Sequence, residues 1–288
     1  MKQAVIIGAG PAGISAAIYL VRAHIPTTVI YRDAGALGKA SAIENYYGFP
    51  TPVTGQELFE AGLKQAQNLG VELIHDEVTG ISWLEKLTVL TPQRSFGADV
   101  LILATGASRV TPKIKGLREF EGRGVSYCAV CDAFFYRNKN VAVIGNGQYA
   151  LHEALELSHS ARAVTIFTLG LPSAFDLSDA PDNITIDARK VTDIVGDDAV
   201  NALVLEDGSK YPVDGVFVAV GVAGSTDFAR KVGAEIDGAR IRVDENFATN
   251  IPGLYACGDA VGGMLQVSKA VGDGAKAAAH AIRYWRAL

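Results

Sequence analysis

The chain has 288 residues, of which 49% are hydrophobic and 20% are charged, so it can bury the core of one large domain or two ordinary ones. The formal net charge is −5 and no run of lysine or arginine offers a footprint for phosphates, which argues against nucleic acid as a partner. Three cysteines are too few for a secreted disulfide scaffold.

The amino-terminal segment combines Lys2 with an apolar run, as a signal peptide does. Gly8, Gly10, Pro11 and Gly13 interrupt this run in a pattern that a dinucleotide site explains better. No later segment reaches the roughly 20 uninterrupted apolar residues that a membrane helix needs. We therefore expect a cytoplasmic protein without a membrane partner.

The chain begins with a pattern typical of a parallel α/β unit. Residues 4–7 form a short apolar run, residues 14–22 are rich in alanine and apolar side chains, and residues 27–31 favour a strand. The order strand, glycine-rich turn, helix, strand returns at residues 140–168. The sequence therefore predicts an α/β fold with two three-layer, Rossmann-like domains, the second inserted in the first.

The remaining segments predict further strands and helices. Helices are predicted at residues 59–69, 151–158 and 268–286, and strands at residues 71–74, 87–91, 100–104, 140–144, 163–168, 184–188, 203–206, 216–220 and 254–257. Domain boundaries near residues 112–115 and 242–245 would give a discontinuous domain of residues 1–112 plus 243–288 and an inserted domain of residues 113–242.

The turn at residues 8–13 has the form G-x-G-x-x-G between a strand and a helix. Gly8 allows the tight turn, Gly10 lets the backbone approach a pyrophosphate, and Gly13 lets helix and strand pack closely. The unpaired N–H groups at the helix start add a positive dipole end. We predict that a dinucleotide binds here.

The residue that would hold the ribose is less clearly marked. Tyr31 and Arg32 stand at the end of the second predicted strand, where an acid is usual. Asp33 follows directly and is either a ribose ligand or a surface carboxylate.

Several motifs resemble the low-molecular-weight thioredoxin reductases, over nearly the whole chain. They are the turn at residues 8–13, the segment Glu-Asn-Tyr-Tyr-Gly-Phe-Pro at residues 44–50, Ala104-Thr105-Gly106, Tyr-Ala-Cys-Gly-Asp-Ala at residues 255–260, and residues 266–274. The resemblance implies an FAD-dependent disulfide oxidoreductase that acts as a homodimer and reduces thioredoxin.

The resemblance also assigns roles to single residues. It implies that Asp259 binds the ribityl chain and that the helix start after Gln266 faces the flavin ring, where it stabilises negative charge on reduced flavin. It makes Cys257 a buried structural residue. The candidate FAD-binding residues are Gly8, Gly10, Pro11, Ala12, Gly13, Tyr31, Asp33, Gly38, Lys39, Asn45, Ala104, Thr105, Gly106, Gly258, Asp259, Gln266 and Val267.

The pair Cys128-Ala-Val-Cys131 is the candidate catalytic centre, followed by Asp132. Two thiols separated by two residues can close a small disulfide ring, and a helix start lowers a thiol pKa. The segment resembles the family's Cys-Ala-Thr-Cys-Asp site with Val130 in place of threonine, and the family's aspartate shuttles a proton. A zinc half-site would need two more ligands, and no second cysteine pair or spaced histidine pair exists, so we expect no metal.

The second glycine-rich turn, at residues 145–150, departs from the family. NADPH-dependent members carry small residues there and a His-Arg-Arg cluster after the next strand. Here Tyr149 is expected to block the approach of a pyrophosphate, no lysine or arginine occurs between Arg162 and Arg189, and acids fill that stretch at Asp176, Asp179, Asp182 and Asp187. We therefore do not expect NADPH to bind productively.

This departure resembles the ferredoxin-dependent flavin thioredoxin reductases, as does the glycine-rich segment at residues 34–39. Reduced ferredoxin is then the expected donor, and the basic residues that would attract it are Arg22, Arg32, Lys39, Lys276, Arg283 and Arg286.

Other readings stay open. The chain could be an ordinary NADPH-dependent thioredoxin reductase with an atypical site, or a non-catalytic flavin redox sensor. A flavoprotein that reduces ferredoxin with NADPH would not need the dithiol. A second flavin or another nucleotide in the altered turn is neither supported nor excluded.

Overall fold

The computed structural model describes residues 2–83, 85–106, 112–221 and 224–288, and the side chains of Val130 and Cys131 lie outside that description. The chain divides into two units, one of Met1–Ser108 with Gly224–Leu288 and one of Arg109–Ala223. The second unit is thus inserted in the first, as the two glycine-rich turns predict. Within the described ranges, no helix is both long and apolar enough to cross a bilayer.

The elements follow one another in three stretches. The first part of unit 1 contains β1 (Ala4–Ile7), α1 (Pro11–Arg22), β2 (Thr27–Tyr31), α2 (Gly55–Asn68), β3 (Glu72–His75), β4 (Gly80–Trp83), β5 (Leu87–Leu90), β6 (Ser95–Ala98) and β7 (Val100–Leu103). Unit 2 contains β8 (Val125–Ser126), α3 (Ala129–Asp132), β9 (Asn140–Ile144), α4 (Gln148–Ser158), β10 (Ala163–Phe167), β11 (Ile184–Asp187), β12 (Val191–Gly196), β13 (Val200–Leu205), β14 (Lys210–Pro212) and β15 (Gly215–Val218). Unit 1 is completed by α5 (Ser225–Lys231), β16 (Ile236–Asp237), β17 (Arg240–Ile241), β18 (Leu254–Ala256) and α6 (Val267–Ala287).

Unit 1 is built on a parallel five-stranded sheet in the order β18-β7-β1-β2-β3. Ala4 pairs with Thr27 on β2 and with Val100 on β7, and all four residues of β1 are buried. Burial on both faces explains why the central strands β1 and β7 are continuously apolar. The antiparallel sheet β4-β5-β6 and the ribbon β16-β17 accompany it.

Helices α1 and α6 pack closely against each other in the core of unit 1. Ser15 Oγ donates to the carbonyl oxygen of Val271 at 2.7 Å. A Cβ at Gly274 would lie 2.0 Å from the carbonyl oxygen of Ala12, so only glycine permits this approach. The first turn of α6 is thereby held beside the first turn of α1.

Unit 2 repeats this plan with the parallel order β11-β10-β9-β15-β8 and an antiparallel sheet β12-β13-β14. Val164 of β10 pairs with Val141 of β9 and Ile184 of β11. Both units are therefore Rossmann-like α/β folds, as the sequence predicts.

The inserted unit ends earlier than residues 242–245, because α5, β16 and β17 belong to unit 1. In α5, Ser225 Oγ donates to the carbonyl oxygen of Gly106 at 3.1 Å, and Lys231 Nζ donates to that of Thr79 at 3.5 Å. The sequence did not predict this helix, because its seven residues begin with buried polar side chains that resemble a turn.

Candidate active site

The first glycine-rich turn has the geometry of a phosphate cradle. A Cβ at Gly8, where φ is 104°, would lie 2.4 Å from the carbonyl oxygen of Ala104, and one at Gly13 would lie 1.9 Å from that of Gly8. A Cβ at Gly10 would meet no atom within 4 Å. Helix α1 begins at Pro11 and no side chain caps it. The turn therefore leaves space in front of helix N–H groups that no side chain caps. This space fits the diphosphate of a dinucleotide.

The strand end at residues 104–106 lies against this turn. Besides its contact with Gly8, it is held by α5, since the Thr105 and Ser225 hydroxyl groups hydrogen-bond and Ser225 also reaches Gly106. Ser225 was not predicted as a site residue, and a serine after a glycine gives no specific signal in a sequence.

The segment at residues 257–262 is held by two side chains of α6, Lys269 and Asp273, which we call the clamp. The backbone N–H of Gly258 donates to Asp273 Oδ2 at 3.1 Å, and Lys269 Nζ donates to the carbonyl oxygens of Gly258 at 2.9 Å and Gly262 at 2.5 Å. Lys269 and Asp273 are themselves an ion pair at 2.6 Å. This clamp fixes the backbone that carries partly exposed Asp259.

The start of α6 meets another predicted segment. Asn45 Nδ2 donates to Gln266 Oε1 at 2.8 Å, so two candidate residues separated by 221 positions are in contact. Val267 is the first residue of α6, and no side chain caps that helix either.

The remaining candidates of unit 1 lie on the loop after β2. Asp33 is half-exposed, pairs with Arg32 at 2.6 Å and accepts the Gly35 N–H at 2.7 Å. Burial raises the pKa of Asp33, but the bonds from Arg32 and Gly35 outweigh it and hold that pKa below its usual value. Asp33 is thus an ionised acceptor already engaged by its own loop.

Gly38 and Lys39 lie in a short 3-10 turn, Leu37–Lys39, that packs on the start of α2. The Tyr31 ring contacts the edge of Phe59 at 5.9 Å between centroids. Neither observation identifies a ligand contact for these three residues.

Cys128 is buried, disulfide-bonded, and directly precedes α3. Ser126 Oγ accepts the Cys128 N–H at 3.1 Å and donates to Asp132 Oδ2 at 2.6 Å. The Ser126 hydroxyl group therefore bridges the predicted Asp132 carboxylate and the backbone N–H of Cys128. The side chain of the other predicted cysteine, Cys131, lies outside the described part of the chain.

Cys257 has the opposite character. It is a free, fully buried thiol. Burial, together with the nearby Asp273 carboxylate, raises the pKa of Cys257 to about 12. A thiol that stays protonated at neutral pH is a poor nucleophile, in keeping with a structural residue.

The expectation that the Tyr149 ring blocks the second glycine-rich turn is wrong. The ring is fully buried, and its hydroxyl donates to the carbonyl oxygen of Tyr127 at 3.2 Å. The side chain of Tyr149, the second residue of α4, is thus directed into the core of unit 2 rather than out of the turn.

The chain itself closes that turn instead. The Ala174 N–H donates to the carbonyl oxygen of Asn146 at 2.8 Å, Asn146 Nδ2 donates to that of Pro172 at 3.0 Å, and Gln148 Nε2 donates to that of Ala174 at 3.2 Å. We call residues 172–174 the covering segment. No sequence pattern indicated this segment apart from the missing basic cluster.

Comparison with known proteins places the whole chain. The family model described as pyridine nucleotide-disulphide oxidoreductase matches residues 2–274. The thioredoxin reductase of Aquifex aeolicus is 38% identical over 95% of this chain and 90% of its own length, and that of Listeria innocua is 36% identical over 97% and 92%.

Solved structures agree with these relatives. The atypical thioredoxin reductase of Desulfovibrio vulgaris Hildenborough has a TM-score of 0.95 at 42% identity, covering 100% of this chain and 99% of that one. A ferredoxin-flavin thioredoxin reductase of Clostridium acetobutylicum has a TM-score of 0.75 at 32% identity, covering 99% and 98%. The chain therefore belongs to the pyridine nucleotide-disulphide oxidoreductase family, as a flavin-dependent disulfide oxidoreductase related to the thioredoxin reductases.

Proposed function

We propose that this protein is a thioredoxin reductase that receives electrons from reduced ferredoxin rather than from NADPH and passes them through Cys128 and Cys131 to thioredoxin. The covering segment is the observation that favours ferredoxin over NADPH as the electron donor. Its three hydrogen bonds hold residues 172–174 against Asn146 and Gln148 of the second glycine-rich turn, where the segment would obstruct the approach of a pyrophosphate.

The residues of unit 1 fit FAD. Gly10 and the uncapped start of α1 would hold the diphosphate. Asp259 would bind the ribityl chain, and Asn45 with Gln266 at the start of α6 would contact the flavin end. When bound, FAD accepts electrons singly and delivers them in pairs, which a one-electron donor and a disulfide require.

The dithiol then performs the exchange. Two electrons and two protons convert the Cys128–Cys131 disulfide into two thiols. One thiolate attacks the thioredoxin disulfide and forms a mixed disulfide, and the second thiolate releases reduced thioredoxin and restores the original bond. Asp132, whose carboxylate is held by Ser126, would accept the proton of a thiol and return it.

An exposed aromatic pair follows the dithiol. Phe134 and Phe135 are 78% and 67% exposed, and their rings meet edge to face at 6.1 Å. Large exposed apolar side chains beside a redox centre favour a protein substrate over a small disulfide.

The basic residues proposed to attract ferredoxin differ in their surroundings. Arg32 pairs with Asp33 and also lies 3.9 Å from Glu77, so part of its charge is compensated. Arg22 and Arg286 lie in the last turns of α1 and α6, at the ends away from the glycine-rich turn. Lys39, like Arg32, lies among the proposed FAD-binding segments.

One observation favours NADPH as the alternative donor. The side chain of Lys190 lies along Gly170, just after β10, since a Cβ at Gly170 would come 2.9 Å from Lys190 Cε. A cation near this strand end could meet a 2′-phosphate. Arg189, in contrast, is engaged by Asp187 at 2.5 Å.

An anaerobic absorbance titration of the bound flavin decides between the donors. We expect photoreduced ferredoxin to bleach the flavin and stoichiometric NADPH or NADH to leave it oxidised. Rapid bleaching by NADPH that is lost in Lys190→Ala would instead identify an ordinary NADPH-dependent enzyme. Bleaching without transfer to thioredoxin would identify a redox sensor.

A further inference from the structure

Helix α4 holds the backbone on both sides of Cys128. The Tyr149 hydroxyl donates to the carbonyl oxygen of Tyr127 at 3.2 Å, and the Ala129 N–H donates to Glu153 Oε2 at 2.7 Å. Tyr149 and Glu153 are four residues apart, so they share one face of the helix. Both side chains are buried, with 0% and 1% exposure.

A Rossmann-like unit does not need a tyrosine at this position. In unit 1 the equivalent step after the glycine-rich turn is Ala12, which packs against Gly258 and Gly274 without any polar group. In unit 2 the same step carries a buried phenol whose hydroxyl donates to the carbonyl oxygen of Tyr127, the residue before Cys128. Tyr149 therefore links α4, the helix that follows the second glycine-rich turn, to the redox centre.

The Cys128 disulfide is formed in this structure, so these two hydrogen bonds belong to the oxidised state. Reduction breaks the covalent bond that holds Cys128 in this arrangement, so the adjoining peptides shift. Hydrogen bonds fixed to the oxidised arrangement of residues 127–129 weaken in that shift and therefore favour the disulfide.

We propose that Tyr149, together with Glu153, is a positioning residue that sets the redox equilibrium of the Cys128 disulfide by holding the peptides on either side of it. The inference rests on the proposed redox role of Cys128. Favouring the disulfide makes the reduced form the stronger donor of electrons, which suits a centre that must pass them on to another disulfide.

The test is the equilibrium constant for reduction of the holoenzyme by dithiothreitol, in which the protein disulfide gains two electrons and two protons and dithiothreitol closes its own disulfide. After acid quenching and denaturation, an alkylating reagent labels one cysteine in the oxidised form, Cys257, and all three in the reduced form. In Tyr149→Phe we expect the constant to rise about three- to ten-fold, the range that one hydrogen bond contributes.

Tyr211→Phe is the matched control. It removes a hydroxyl that hydrogen-bonds Thr165 Oγ1 at 2.9 Å in the same unit, while its ring packs on Phe167. Its constant should stay within twofold of the unaltered protein. An unchanged constant in folded, flavin-containing Tyr149→Phe, or an equal rise in both tyrosine variants, overturns the inference.

Glu153 provides a second, independent comparison. Glu153→Gln keeps an oxygen that accepts the Ala129 N–H, whereas Glu153→Leu does not, so the leucine variant should shift the constant more. Equal shifts would trace the effect to charge and remove Glu153 from the proposal. Activity retained in Cys128→Ser would be a separate failure, that of the proposed redox centre itself.

Discussion

Among single residues, Gly13 is required by the fold, whereas Gly10 would be required only by the proposed cofactor. A Cβ at Gly13 would collide with the Gly8 carbonyl, so this glycine is required before any ligand binds. A Cβ at Gly10 meets nothing within 4 Å, so the protein alone gives no steric reason for a glycine there. A ligand that approaches the turn closely, as proposed for FAD, would supply such a reason.

Gly10→Ala should therefore weaken FAD binding about tenfold while changing the free energy of unfolding by less than about 1 kcal/mol, the cost of alanine at a helix N-cap. Fluorescence titration of the apoprotein with FAD, beside a denaturant melt, measures both quantities. Gly62→Ala is the control, because its Cβ would make ordinary contacts of 3.5 Å or more with Ile14. Unchanged FAD affinity in Gly10→Ala would remove the turn from the proposed site.

The sequence predicted those residues whose role is set by backbone geometry, such as Gly8 and Gly13. It could not predict where Tyr149 points, because a helix position fixes a side chain only relative to its neighbours in space. Lys269 and Asp273 were missed for a related reason. Their clamp closes only when α6 lies beside residues 258–262, and that contact depends on the tertiary fold.

Among the elements, the strands of both parallel sheets were predicted except the two-residue β8, and residues 27–31 and 140–144 match β2 and β9. Continuous apolar runs identify strands that are buried on both faces. Strands of the small antiparallel sheets, such as β12 and β14, were missed because they are short and partly exposed.

The covering segment offers a test at this scale. Asn146→Ala combined with Gln148→Ala removes two of its three hydrogen bonds and leaves only the bond from the Ala174 N–H. Amide hydrogen exchange at Ala174 should then become at least about tenfold faster, since each neutral bond contributes about 1 kcal/mol.

Asn183→Ala is the control for that experiment, because Asn183 Nδ2 binds the carbonyl oxygens of Ser158 and Ala161 elsewhere in unit 2. Its effect on Ala174 exchange should be negligible. If exchange at Ala174 is fast in the unaltered protein, the segment does not cover the turn in solution, and the argument against NADPH loses its main support.

For the whole molecule, the proposed electron path uses both units, with FAD held by unit 1 and the dithiol carried by unit 2. Cys128→Ser should abolish reduction of thioredoxin while FAD stays bound and reducible, because the two functions reside in separately built units. Turnover is followed by thiol release from thioredoxin and flavin content by absorbance.

Cys257→Ala should retain turnover, since that thiol is buried and its raised pKa keeps it protonated. Thioredoxin reduction that survives in Cys128→Ser would rule out the dithiol mechanism for this protein.

The contact between α1 and α6 also has a consequence for biosynthesis. Ser15 and Val271 are 256 positions apart, and β18 pairs with β7 from the same late stretch of chain. While the ribosome is still making that stretch, one edge of β7 has no partner and the apolar face of α1 is uncovered, whereas every described strand of unit 2 has already been synthesised. The nascent protein should thus pass through a state in which the inserted unit is folded and the amino-terminal sheet is vulnerable to aggregation and proteolysis.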